Sequence, residues 1–223
     1  MSNQTATSPK PKRMTKSQRA GHQASKTFAE RQTTLVQPAP AVMLPPLEPF
    51  TLGGTGAGFT FSDFAAWALS DLRDNVARGL LAEYLVARAL GITPPPRRAW
   101  DEADLWLDST PIHVKASAYI QSWGQESPSR ISFSNLRPQR PKILESLYVL
   151  CVNTCRSHDA FRPCDLDSWV FYPITGMRIA EIGCSALSLP RVEQEATPVG
   201  FTGLHGAVRG LLANVQPSSD ASA

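Results

Sequence analysis

The sequence predicts an α/β fold, with a mixed central sheet flanked by helices. Three observations lead there. A helical period runs over about residues 75–90, two short alternating apolar runs follow at 103–107 and 112–116, and strand-like stretches then precede a last helical stretch at 203–213. A helix, then several strands, then a late helix is a mixed layout, not a bundle or an all-β sandwich.

The 223 residues suit one domain with tails, and a 42% hydrophobic share is enough for a core. The net charge of +3 hides an uneven split: residues 1–60 hold seven Lys/Arg against two acids, and the remainder holds 15 against 17. A protein that coats nucleic acid with one broadly basic face is therefore excluded, and any phosphate binding must fall to local patches. No apolar run reaches the roughly 18–20 residues that cross a bilayer, and the N-terminus lacks the charged-then-apolar order of a secretory signal. The expectation is a soluble, cytoplasmic protein with no membrane partner. Four cysteines, Cys151, Cys155, Cys164 and Cys184, are too sparse for a disulfide framework and point to reduced thiols. Cys155, His158 and Cys164 lie close in sequence, but they are three ligands where a closed zinc site needs four, and the C-x-x-C spacing is absent.

Residues 1–48 are rich in Ser, Thr, Gln, Ala and Pro, show no sustained period, and are expected to form a disordered basic arm. Lys10, Lys12, Arg13, Lys16 and Arg19 would either attract phosphates without sequence preference or simply stay solvated. The run GGTGAG at 53–58 lacks the Lys-Ser/Thr ending of a phosphate loop and is expected to be a hinge. The folded domain is placed at 60–213 and a disordered tail at 214–223.

Asn75 is the expected N-cap of the first firm helix and Gly91 its stop. Three-and-four spacing puts Leu80, Glu83, Tyr84, Ala87 and Leu90 on one face. A carboxylate on that face must be paired, bound to a metal or at the lip of a cleft; the alternative is a small rotation that leaves Glu83 at the stripe's edge. The two alternating runs, joined by Asp108-Ser109-Thr110-Pro111, predict an antiparallel hairpin. A symmetric turn pairs Leu107 with Ile112, Trp106 with His113, Leu105 with Val114 and Asp104 with Lys115. Strand period two then gathers Leu105, Leu107, Ile112 and Val114 on one face, and Asp104, Trp106, His113 and Lys115 on the other. Further strands are expected at 130–133, 147–152 and 169–173.

The segments NVARGLLAEYLVARALG, ADLWLD and PIHVKASAYIQSW together resemble the core of the PD-(D/E)XK, or restriction-endonuclease-like, nucleases over about residues 75–175. In that superfamily a helix carries a Glu, one strand opens with an Asp, and the adjacent strand ends in Glu-x-Lys or Asp-x-Lys. The resemblance implies Glu83, Asp104 and His113-Val114-Lys115 in those places. It implies a metal-dependent nuclease hydrolysing DNA phosphodiester bonds with Mg²⁺ or Mn²⁺. Asp104 is then the main metal ligand, with Glu83, the carbonyl of Val114 and His113 as further ligands and Lys115 as the catalytic amine. The physical logic stands beside it: phosphodiester hydrolysis calls for hard oxygen ligands around a divalent cation next to an ammonium group.

His113 stands where the family has an acid. It is a softer ligand that suits Mn²⁺ better than Mg²⁺. It would bind metal in an active site, mark a weakened site that binds nucleic acid without cutting, or stack on Trp106. Gln121 would meet a phosphate or water near the metal, or close a strand end. Arg130, Arg137, Arg140 and Lys142 are the phosphate-contact candidates of the folded part, or else a solvated loop face. Two competitors to the nuclease remain: a binding module on the same fold, and a protein-interaction module using exposed aromatics. Cutting both strands would be served by a homodimer, for which the sequence marks no surface.

Overall fold

The computed structural model describes residues 41–97, 101–137 and 141–215. The expected arm lies outside the described residues up to position 40, and the expected tail from position 216.

The described chain begins with a hairpin of β1 (Pro49–Leu52) and β2 (Thr55–Thr60). Its two turn residues, Gly53 and Gly54, have φ of 58° and 83°, which a tight primed turn requires and which glycine adopts without strain. The glycine-rich run is thus a turn and a strand, not the expected hinge. Helix α1 (Phe61–Ala68) follows, its start fixed by Asp63, whose carboxylate accepts from the backbone N–H and the hydroxyl of Thr60. Phe50 and Phe59 stack at 4.7 Å, and with Phe64 and Trp67 they stay exposed.

Helix α2 (Asn75–Ala89) starts on Asn75 itself, so its cap is Asp74, one residue before the expected one. Asp74 accepts from the N–H groups of Val76 and Ala77, and Gly91 at φ 73° ends the helix as expected. Its buried stripe is Ala82, Leu85, Val86 and Leu90, with Ala77 and Ala87 beside them. The expected stripe was rotated from this one: Tyr84 is exposed, and Glu83 sits at the edge, half-buried. The reason is that apolar residues occur almost all round this helix, so packing against the sheet, where Ala82 and Val86 allow close approach, selects the face.

The central sheet has four strands. Here β3 is Leu105–Leu107 and β4 is Thr110–Ala118; β6 is Leu147–Asn153 and β7 is Trp169–Thr175. Strands β3 and β4 are antiparallel, β4 and β6 parallel, β6 and β7 antiparallel. Between β4 and β6 the crossover carries β5 (Ser132–Phe133) and a 3-10 turn at Pro141–Glu145. After β7 come α3 (Gly176–Ile182), β8 (Leu187–Ser188), which pairs with β5, then α4 (Leu189–Glu195) and α5 (Leu204–Val215). A side chain at Gly176 would run into the carbonyl of Ile143, so only glycine allows α3 to start against that turn.

Two cores sandwich the sheet. On one face Leu105, Leu107, Ile112, Val114, Val149 and Phe171 meet α2 and Leu204 and Val208 of α5. On the other, Tyr148, Leu150, Tyr172 and Ile174 meet the crossover residues Ile131, Phe133, Leu136 and Ile143, with Ile179 and Val192 of α3 and α4. Strand β6 is buried along its whole length; each large apolar side chain there contributes roughly 1.5–3 kcal/mol. The fold is therefore α/β, with a mixed sheet flanked by helices. No helix among the described residues is long and apolar enough to cross a membrane.

Candidate active site at the open edge of the sheet

The β3–β4 hairpin turns more tightly than its sequence predicts. Leu105 lies opposite Ile112, Trp106 opposite Pro111 and Leu107 opposite Thr110, with Asp108 at φ 54° in the turn. The expected pairing is displaced by two residues, because Thr110 and Pro111 join the strand instead of the loop. A two-residue displacement conserves side-chain parity. Leu105, Leu107, Ile112 and Val114 accordingly enter the core under α2, and Asp104, Trp106, His113 and Lys115 share the opposite, partly exposed side.

Asp104 sits just before β3, where its own N–H donates to the carbonyl of Ile112 at 3.1 Å. Its Oδ2 accepts from the Val114 N–H at 2.7 Å and lies 4.0 Å from Lys115 Nζ. Beyond the end of β3 the carboxylate thus accepts from a β4 backbone donor. This orients Asp104 with a backbone donor and leaves Lys115 beside it.

Glu83 reaches the same place from α2. A cavity of about 680 Å³ is lined by Glu83, Tyr84, Arg97, Asp104 and Trp106, among others. Both Glu83 oxygens accept from Arg97, from Nε at 2.6 Å and from Nη2 at 3.0 Å. These bonds from Arg97 to Glu83 raise the guanidinium above its ordinary pKa against the opposing effect of burial, and the charges of Glu83 and Asp104 add to the rise. The two acids of helix and strand therefore face one cavity with a guanidinium between their fields.

The helix is held in that position by Arg78 and Gln121. The buried Arg78 donates to the carbonyl of Arg73 at 2.7 Å and to Gln121 Oε1 at 3.3 Å, and also bonds Asn75 Oδ1. Gln121 Nε2 donates to the carbonyl of Ala118 at 2.8 Å. Of the two places expected for Gln121, at a phosphate or at a strand end, it takes the second: it is buried, with both ends of its amide used to tie the end of β4 to the start of α2. Burial lowers the pKa of Arg78, while Asp74 opposes the fall.

His113 does not join the acids. Its ring lies against Tyr148 at 5.0 Å, in a neighbouring hollow of about 470 Å³ that it shares with Trp106, Lys142 and Glu145. Trp106 lines both hollows. Among the described residues no three His, Cys, Asp or Glu side chains gather as a metal-ligand set, so Glu83, Asp104 and His113 do not gather as the expected three-ligand set. The expected stacking partner is corrected as well, from Trp106 to Tyr148.

Arg130 and Arg137 are exposed on the crossover, Arg137 at φ 51°. Lys142 is engaged by Glu102, and Arg140 lies outside the described residues. All four cysteines are free thiols. Sequence reasoning missed Arg97, which follows three prolines in a loop with no period to mark it. The available signal was a basic pair, Arg97 and Arg98, falling between the helix acid and the strand acid.

No family model matches the chain, and no curated protein or solved structure does either.

Proposed function

We propose that this chain is a metal-dependent nuclease that hydrolyses DNA phosphodiester bonds on a restriction-endonuclease-like core. The observation that carries the reading is the pairing of Asp104, just before β3, with Lys115 of β4 at 4.0 Å, with Asp104 lining the same cavity as Glu83. The order of elements supports it too: a helix with an acid, a strand preceded by an acid, and a strand carrying a lysine, followed by a parallel strand.

The donors fit a hard divalent cation, since Asp104 and Glu83 offer carboxylate oxygens from two different elements. The Val114 carbonyl belongs to the residue whose N–H already meets Asp104. Mg²⁺ or Mn²⁺ held there supplies an activated water and neutralises phosphate charge. Asp104 is kept in place for this by its backbone donor, and Lys115 orients the attacking water or stabilises the charge that develops on the phosphate. Arg130 and Arg137 are phosphate contacts of the neighbouring surface, and DNA is the partner. A homodimer would serve cutting of both strands.

The test is incubation of the full chain with plasmid, linear duplex and single-stranded DNA in Mg²⁺, Mn²⁺ or EDTA. Cleavage that needs metal and falls at least about 100-fold in Lys115→Ala, and likewise in Asp104→Ala, is the expected result. DNA binding without metal uptake or cleavage would replace this reading with a binding module on the same fold. One observation favours that second reading: His113, in the position of the family's acid, is turned to Tyr148.

A further inference from the structure

Glu83 is the acid that the nuclease reading needs as a second metal ligand, yet both of its oxygens are already taken. Arg97 grips them with two nearly parallel bonds, at 2.6 and 3.0 Å. An arginine cannot shed its proton in a protein, so Glu83 is released only if the guanidinium moves away or a stronger cation displaces it. The geometry allows displacement. Arg97 is 52% exposed while Glu83 is 16% exposed, so the arginine stands on the solvent side of the acid. The pair is bidentate and its acid is mostly buried, so it is stronger than an ordinary surface contact, but a divalent ion that also gains Asp104 brings two charges against one and can outcompete it.

The displaced guanidinium would not go far. Arg97 follows Pro94, Pro95 and Pro96, whose fixed φ angles stiffen the approach, and these residues line the same cavity as Asp104 and Trp106. A planar fork that binds a carboxylate in two places binds a phosphate in the same manner. The partner most available at that mouth is the phosphate beside the scissile one.

We propose that Arg97 is an exchangeable cation of this site: it holds Glu83 until a divalent ion takes that carboxylate, and then binds a phosphate of the DNA substrate. The inference rests on the nuclease reading and adds to it a residue that couples metal loading to substrate contact. Arg97 thereby opposes metal binding in the free protein and favours DNA binding in the metal-loaded one. A residue that merely braced the loop would do neither.

The experiment uses the full-length chain and two readouts. Calorimetric titration with Mn²⁺ is carried out on wild type, Arg97→Ala, Arg97→Lys and Asp104→Ala. Affinity for a duplex oligonucleotide is measured by fluorescence anisotropy in Ca²⁺. Arg97→Ala should bind Mn²⁺ about threefold to tenfold more tightly than wild type and bind the duplex more weakly by a similar factor. Arg97→Lys, which keeps the charge but not the fork, should fall between them in both assays and guards against a folding defect in the alanine variant. If wild type takes up Mn²⁺ through Asp104 but Arg97→Ala has the same or lower Mn²⁺ affinity, Arg97 is not the competing cation and this inference fails alone. Unchanged duplex affinity overturns its second half. If no variant takes up Mn²⁺, the inference falls together with the metal-dependent reading beneath it.

Discussion

One face of the central sheet is apolar from β3 to β7 and is closed by α2 and α5. The opposite face is closed over β6 and β7 by the crossover, α3 and α4, but at its β3–β4 end it presents Asp104, Trp106, His113 and Lys115, partly exposed. The difference teaches how one hairpin serves two purposes. Each strand alternates, so the residues that anchor β3 and β4 in the core automatically aim their neighbours at the open side. Stability and candidate chemistry thus occupy adjacent positions in sequence while hardly sharing side chains. The contrast can be broken by changing one face and asking whether the effect is large where packing is closed and small where it is open.

The largest effect should come from Phe171, fully buried on the closed face and in contact with Phe201. Phe171→Ala removes a ring from a site between the sheet and α5, and the cavity left behind should cost about 3–5 kcal/mol in denaturant unfolding. A loss under about 1 kcal/mol would mean that the closed face is not the main support of the fold.

The next residue, Tyr172, points to the other side and tests whether that face is closed over β7. Burial, and then the nearby Glu193 carboxylate, push its phenol up from 10 to about 12. The folded state therefore prefers the neutral phenol. The stability this supplies is intact below pH 10, where the unfolded chain's phenol also stays protonated, and it is lost as pH climbs towards 12. Relative to Tyr172→Phe, wild type should lose on the order of 2 kcal/mol over that interval. Parallel pH profiles for the two proteins would show the β7 end to be as open as the β3 end.

Much of this arrangement was legible in the sequence, for a reason that the hairpin makes clear. Strand parity survives an error of two residues, so the faces of Asp104, Trp106, His113 and Lys115 followed from the alternating pattern although the register did not. A helix offers no such protection. Residues 80–87 carry apolar side chains in nearly every direction, and only the packing of Ala82 and Val86 on the sheet fixes the inward side. Glu83 consequently reached the edge of the stripe, where a loop arginine meets it. Long-range partners of this kind, Arg97 with Glu83 or His113 with Tyr148, have no local period. For Gln121 the strand-end alternative was open in the sequence, but its partner Arg78, a helix away, was not. Short elements such as α3, α4 and β8 also gave no sustained pattern, being held by tertiary contacts instead of their own periodicity.

The smallest effect sharpens the contrast most. Lys115 is a β4 neighbour of the buried Val114, yet its side chain is 31% exposed and its amine stands 4.0 Å from an acid that is itself 25% exposed. A partly solvated pair at that distance gains little once ordering and screening are counted, and Asp104 keeps its bond from the Val114 N–H when the amine is gone. Lys115→Ala should therefore shift unfolding free energy by no more than about 0.5 kcal/mol while removing the cleavage proposed for this site. A shift beyond about 1.5 kcal/mol would make the lysine a structural partner of the acid. The same side chain could not then be assigned to chemistry on activity alone, since its loss would disturb the hairpin that carries Asp104.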